Sequence, residues 1–138
     1  QAYKRLGKDP NRYRPSSEAL RRRILRELPL YKVDTLVDLI NLVSIRSGYS
    51  IGGFDADKIA GGSLVLGVGG VGTPTSDEER TKIGLDTTHL LMIINGYSGL
   101  EGLEAAGKYA VGLLSKYVSA INMEAELVTA KDRTKIAL

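Results

Sequence analysis

Three glycines have the spacing found in loops that bind dinucleotides. Gly67, Gly69 and Gly72 satisfy the pattern G-x-G-x-x-G, in which glycines let the backbone approach a pyrophosphate at the start of a helix. The stretch that follows, 73–80, has no apolar face to pack on a sheet, and its three acids would repel a phosphate. We therefore interpret 67–72 as a flexible or close-approach glycine loop.

Few other side chains could perform acid–base or metal chemistry. Asp55 with Asp57, and Glu78 with Glu79, form short acidic pairs that are typical of capping or surface positions. His89 is the only histidine and there is no cysteine, which excludes disulfides, thiol catalysis and cysteine-bound metals. A Ser–His–Asp arrangement stays open, because its members need not be neighbours in sequence. We predict no metal and no cofactor, and these patterns identify no catalytic residue.

The beginning of the chain is strongly basic. Residues 1–27 contain nine Lys and Arg against three Asp and Glu, so they carry about +6 in a chain whose net charge is +3. This asymmetry is typical of a surface that faces phosphates, although a solvated helix face has the same composition. The basic residues that could form such a phosphate-facing surface are Lys4, Arg5, Arg12, Arg14, Arg21, Arg22 and Arg23.

The apolar pattern predicts the elements that would position these residues. Helical spacing occurs over 16–28, with an N-cap at Ser16 or Ser17, over 34–47, with Gly48 as the stop, and over 99–120. The second of these helices is apolar almost all round, so it should be central. Strand patterns cover 63–68, 90–94 and 125–129. The hexapeptide 80–85 returns nearly unchanged at 133–138, either by coincidence or as a duplicated pairing strand.

The composition favours one compact domain over the 138 residues. Two helices, then glycine-rich strands, then a helix and a strand place it in the α+β class, with a mixed or antiparallel sheet on which the helices pack. No apolar run reaches the 18 residues that a membrane span needs, and the start lacks a signal-peptide core. We expect a soluble protein without membrane contact, and cytoplasmic because it has no cysteine. The oligomeric state is left open.

Residues 37–55 carry a specific resemblance. They resemble, without gaps, the segment of the phenylalanyl-tRNA synthetase beta chain that runs from a V-D-[IV]-T-N helix through a glycine turn to an x-H-A-F-D loop. Residues 3–23 and 72–81 are similar to the stand-alone relatives of that module, the B3/B4 tRNA-binding and editing domain. The resemblance implies a truncated B3/B4 fold, because the family's preceding sheet and further central strands have no matching residues in this sequence.

The resemblance also implies a function. In the synthetase this module hydrolyses the ester of tRNA charged with the wrong aromatic amino acid, a reaction that needs an oriented water and a pocket more than a strong nucleophile. We expect a domain that binds the acceptor end of aminoacylated tRNA and deacylates mischarged tRNA in trans. The alternatives are a non-catalytic binder of an amino-acid-like ligand on the same fold, and a structural fragment of a synthetase subunit.

The substrate pocket is carried over residue by residue. Asn41 stands at the motif's asparagine, where it is either a pocket amide or a helix-face amide, while Ile40 replaces the motif's threonine and Gly52 its histidine. The loop 72–81 matches the stand-alone proteins and supplies hydroxyls and acids for the amino-acid end of the substrate. The predicted pocket residues are Asn41, Gly52, Gly53, Asp55, Thr75, Ser76, Glu79 and Thr81. We expect them to surround one cavity.

Overall fold

Two helices are followed by three short strands, a third helix and a last strand, an α+β arrangement as predicted. The computed structural model describes residues 7, 9, 15–30, 32–59, 63–66, 81–96, 100–129 and 134–137. The helices are α1 (Ser16–Leu25), α2 (Thr35–Ser47) and α3 (Leu103–Val118), and the strands are β1 (Ser50–Asp55), β2 (Ser63–Leu66), β3 (Leu90–Asn95) and β4 (Thr134–Ala137). A 3-10 turn, Ala56–Lys58, follows β1. No helix within these ranges is both long and apolar enough to cross a bilayer.

The strands form two antiparallel pairs. β1 pairs with β3 so that Gly53 lies opposite Met92, and β2 pairs with β4. Residues 50–55, which the resemblance placed in a loop, are therefore a strand along their whole length. The predicted strand over 125–129 is wrong, because those residues form no ladder and are almost all exposed.

The repeated hexapeptide has two different structures. Thr134–Ala137 is strand β4, whereas residues 82–84, in the first copy, have no regular structure. The interpretation as a duplicated pairing strand is therefore wrong for the described residues. Pairing with β2, which is available to one copy only, decides the conformation.

α2 has the ends that its sequence predicts. The Asp34 side chain accepts a 2.7 Å hydrogen bond from the Leu36 amide, which caps the N-terminus, and Gly48 ends the helix at a φ of 82°. This left-handed conformation is the one that glycine adopts without strain.

α1 differs from its prediction at both ends. The N-cap position is Pro15, which offers no side-chain hydrogen bond, so the predicted cap at Ser16 or Ser17 is wrong. The helix ends at Leu25, before Pro29, because Glu27 takes a left-handed φ of 56°.

The core lies between α2, α3 and one face of the β1–β3 pair. Its buried members are Ile40 and Val43 of α2, Ile51 of β1 and Ala110 of α3. Alternation along β1 directs Ile51, Gly53 and Asp55 to this face. The prediction that α2 is central is confirmed, since Val43 is only 1% exposed.

Candidate functional site

The predicted pocket residues that the structure describes lie on α2, on β1 and at the start of the segment 81–96. Asn41 is half-buried on α2, Gly52 and Gly53 are in β1, and Thr81 is half-buried. Thr75, Ser76 and Glu79 lie outside the described residues. That the whole set surrounds one cavity therefore stays a prediction.

Apolar side chains occupy the space beside both glycines of β1. A methyl group added at Gly53 would overlap Cδ1 of Ile40 and lie 3.0 Å from Cδ1 of Ile83. On the other face of the strand, a methyl group at Gly52 would lie 2.8 Å from the ring of Phe54. The resembling motif has threonine at the position of Ile40 and histidine at the position of Gly52. Apolar side chains therefore pack where that motif has a hydroxyl and an imidazole.

Asp55 holds the end of β1 to the segment before β3. Its carboxylate is 2.9 Å from Nζ of Lys58, accepts a 2.9 Å hydrogen bond from Oγ1 of Thr87 and accepts another from the Asp57 amide. The Gly84 amide donates to the same Thr87 hydroxyl, which extends the network to 84. The hydrogen bond from Lys58 lowers the pKa of the Asp55 carboxyl, and Thr87 adds to this against the opposing effect of desolvation.

A second polar pair lies at the same end of the ladder. Nδ1 of His89 is 2.7 Å from Oδ2 of Asp57, and both side chains are more than half exposed. The hydrogen bond and charge of Asp57 raise the pKa of His89. Asp57 and His89 are 32 positions apart, and no sequence pattern links them. In the antiparallel ladder Asp55 lies opposite Leu90, which brings Asp57 and His89 close together. Knowing this register from the sequence would have revealed the Asp57–His89 pair.

The described arginines of α1 have partners within the chain. Arg21 donates from Nε to the Ile45 carbonyl, at 2.9 Å, and from Nη2 to the Arg46 carbonyl, at 3.5 Å. Arg22 pairs with Glu18 at 3.0 Å, and Arg23 donates twice to the Pro29 carbonyl. The other predicted RNA contacts, Lys4, Arg5, Arg12 and Arg14, lie outside the described residues.

Those partners have different electrostatic consequences. The Glu18 carboxylate neutralises Arg22, whereas the carbonyl oxygens that hold Arg21 leave its unit charge in place. Arg21 binds the last carbonyls of α2, where helix geometry leaves acceptors without intrahelical partners and the helix dipole favours a cation.

An open groove lies between the end of α2 and the beginning of α3. It encloses about 370 Å³ and was not anticipated from the sequence. Its described lining residues are Arg46, Ser47, Tyr49, Glu101, Gly102, Ala105, Ala106 and Tyr109. The guanidinium of Arg46 lies over the Tyr109 ring, 5.7 Å from its centroid. Neither Asn41 nor Gly52 lines this groove, so it is distinct from the predicted pocket.

The acids and the histidine do not gather as metal ligands would. Within the described ranges, no three side chains of the metal-binding types come together in a group that could hold an ion.

Comparison with known proteins gives one match. The family model described as B3/4 domain matches residues 1–74, a region that contains α1, α2, β1 and β2. No curated protein and no solved structure matches the chain significantly.

Proposed function

The chain belongs to the B3/4 domain family, and on that premise we propose that it binds the acceptor end of tRNA. The family match relates it to the domain of the phenylalanyl-tRNA synthetase beta chain that residues 37–55 resemble. The match covers the basic segment 1–27 together with α2 and β1, so the predicted phosphate contacts and the Asn41 region belong to the same family module.

One observation carries the proposal: Arg21, bound to the last carbonyls of α2, and Arg46, in the last turn of α2, each bring a positive charge to this end of the helix. Arg21 is bonded to carbonyl oxygens and Arg46 lies over a tyrosine ring, so neither is neutralised by a carboxylate among the described residues. Fixed guanidinium groups without acidic partners attract phosphates and release their counterions. Lys4, Arg5, Arg12 and Arg14, which lie outside the described residues, are the further phosphate contacts that the sequence predicts.

Hydrolysis of mischarged aminoacyl-tRNA in trans is the activity that such binding would serve. Asn41 is the residue proposed to orient the substrate or its attacking water, because the amide is retained at this position. Ile40 and Gly52 contribute no hydroxyl or imidazole, so orientation and exclusion of bulk water must account for the rate.

A specific observation also favours the second candidate, binding of an amino-acid-like ligand without hydrolysis. Ile40 packs directly against Gly53 on the core face of β1. This contact places hydrocarbon at the position where the resembling motif has a threonine hydroxyl, which leaves fewer groups able to orient a catalytic water.

tRNA binding tests the proposal. Fluorescence anisotropy of labelled tRNA at graded salt should give an affinity that falls linearly on a log–log plot. The variant R21Q/R46Q should bind more weakly and reduce the slope by roughly one to two units. The matched control is Lys116→Gln, which removes one positive charge near the far end of α3, over Tyr117. An unchanged slope in R21Q/R46Q, or no tRNA binding by the wild type, would contradict the proposal.

Release of amino acid from tyrosine-charged tRNA(Phe) separates the two candidate functions. If the domain hydrolyses the ester, Asn41→Ala should lower turnover more than tRNA affinity. Binding without release would support the second candidate and overturn the deacylase activity.

A further inference from the structure

We propose that the groove between α2 and α3 binds one unpaired nucleotide of an RNA strand, with its base beside Tyr109 and Arg46 and its phosphate on the guanidinium of Arg46. This inference rests on the proposed function, because a tRNA acceptor end is a single strand. It assigns that strand to a place other than the pocket predicted around Asn41.

The groove is large enough to admit a small ligand. Its volume of about 370 Å³ lies at the lower end of the range for ligand sites, roughly 300–1,000 Å³. Gly102, Ala105 and Ala106 form the part of the lining that α3 contributes near its start, and their small side chains leave space between Tyr49 and Tyr109.

The walls are held in position before any ligand arrives. The Tyr49 hydroxyl donates a hydrogen bond to the Glu101 carbonyl and so ties the start of β1 to the residues preceding α3. Gly102 has a φ of 79°, and a methyl group there would lie 3.4 Å from the Tyr49 hydroxyl. A groove with fixed walls binds with less loss of conformational entropy.

Arg46 and Tyr109 supply both kinds of contact that an unpaired nucleotide needs. Bases released from a duplex stack on aromatic rings and on the planes of arginine side chains. Arg46 lies over Tyr109 and is itself exposed, so the pair offers a stacking surface that carries a positive charge. Arg21 donates to the backbone carbonyl of Arg46 and adds a second positive charge at this end of α2.

Glu101 opposes this binding. It is the one acid among the described residues that line the groove, and it is exposed. Its negative charge would reduce the affinity for a phosphate. Removing this charge should therefore raise the affinity, whereas removing the Arg46 charge should lower it. Glu101→Gln should bind a nucleotide more tightly, while the Tyr49 hydrogen bond, which uses the backbone carbonyl, is retained.

The experiment fills the groove without removing any of its contacts. Ala105→Leu places a larger side chain on the exposed lining of α3 and keeps a strong helix former. Ser115→Leu makes the same addition at an exposed position three turns further along α3 and is the control. The probes are AMP and a short single-stranded RNA that ends in CCA, measured by calorimetry and by amide chemical shifts.

We expect the RNA to shift the amides of Ala105 and Tyr109, and its affinity to fall about tenfold in Ala105→Leu and in Arg46→Gln. Ser115→Leu should bind like the wild type. Equal affinity in Ala105→Leu and the wild type would overturn the groove as the site, and the salt-dependent binding of whole tRNA would still decide the proposed function. Binding of AMP but not of the RNA would overturn RNA as the ligand.

Discussion

His89 and Asp57 form an ion pair across the end of the β1–β3 ladder, with Nδ1 of the histidine 2.7 Å from Oδ2 of the aspartate. The main chain brings them together, because the Ala56 amide donates to the His89 carbonyl one step beyond the pairing of Asp55 with Leu90. The pair therefore reports on whether the two strands are in register.

The first prediction concerns the protonation of His89. Asp57 raises the histidine pKa above its ordinary value of 6.5, and Asp57→Asn should return it towards that value. Since His89 is the only histidine, its ring signals in an NMR titration are unambiguous. An identical midpoint in the variant would contradict the ion pair.

The same pair makes a pH-dependent contribution to stability. Because the folded pKa is raised, the contribution is complete below pH 6.5 and is lost as the pH rises through the folded pKa. Denaturant unfolding should therefore show a difference between the wild type and Asp57→Asn that narrows as the pH increases. A difference that grows with pH would have the wrong sign.

The second prediction concerns Asp55, whose side chain is only 3% exposed. Asp55→Asn removes the charge that faces Lys58 and should lower the thermal unfolding midpoint by several degrees. Asp86→Asn is the matched control, because the Asp86 side chain is 77% exposed and lies 3.4 Å from the same Lys58 amine. The control should unfold close to the wild type.

Acid titration gives a second measure of Asp55. Its pKa is lowered in the folded state, so its contribution is complete above pH 3.8 and is lost as the pH falls through the folded value. The stability of the wild type should fall towards that of Asp55→Asn in this acid range. Parallel acid curves for the two proteins would contradict the network.

Much of the fold could be predicted from local signals. α2 and its glycine stop follow from the apolar run and Gly48, and β3 follows from the apolar stretch that Asn95 ends, whereas the cap formed by Asp34 was not predicted. The strand over 125–129 was predicted wrongly, because alternation alone does not provide a pairing partner. β2 pairs with β4, about 70 residues further along the chain. Local sequence patterns do not predict such a long-range pairing.

The candidate sites were harder to predict because contacts between distant segments define them. Arg21 was predicted to contact phosphate, and its bonds to the end of α2 depend on how two helices pack. Arg46 and Tyr109 are 63 positions apart and meet only when α3 lies against α2. Only two features of the sequence pointed to the groove. These are Arg46 in the last turn of α2 and Tyr49 directly after the Gly48 stop.

The third prediction tests the end of α2. Gly48→Ala forces a β-carbon into a left-handed conformation, at a cost of about 1–2 kcal/mol, and brings it within 3.0 Å of the Arg21 guanidinium. Gly112→Ala is the opposite control, since nothing lies within 4 Å of the added methyl group and alanine favours a helix interior by about 0.5–1 kcal/mol. Urea unfolding should therefore show one destabilised and one stabilised variant. Destabilisation by both would remove the conformational explanation.

The last prediction concerns the contact between Ile40 and Gly53. Gly53→Ala should cost about 1–3 kcal/mol, because its methyl group overlaps Cδ1 of a buried isoleucine. Ile40→Val removes that carbon and alone should cost about 0.5–1.5 kcal/mol. The double variant should lose less unfolding free energy than the two single variants lose together. The Gly53→Ala methyl group fills the space that Ile40→Val opens, and Ile40→Val removes the carbon that it overlaps.

Urea unfolding of the four proteins in this cycle measures the coupling. A favourable coupling would establish that Ile40 fills the space beside Gly53, and a substrate would then have to displace packed hydrocarbon to enter between α2 and β1. Strictly additive costs would mean that the end of Ile40 turns away freely. In that case the region next to Asn41 can open, which would favour the predicted pocket as the place where the aminoacyl end is held.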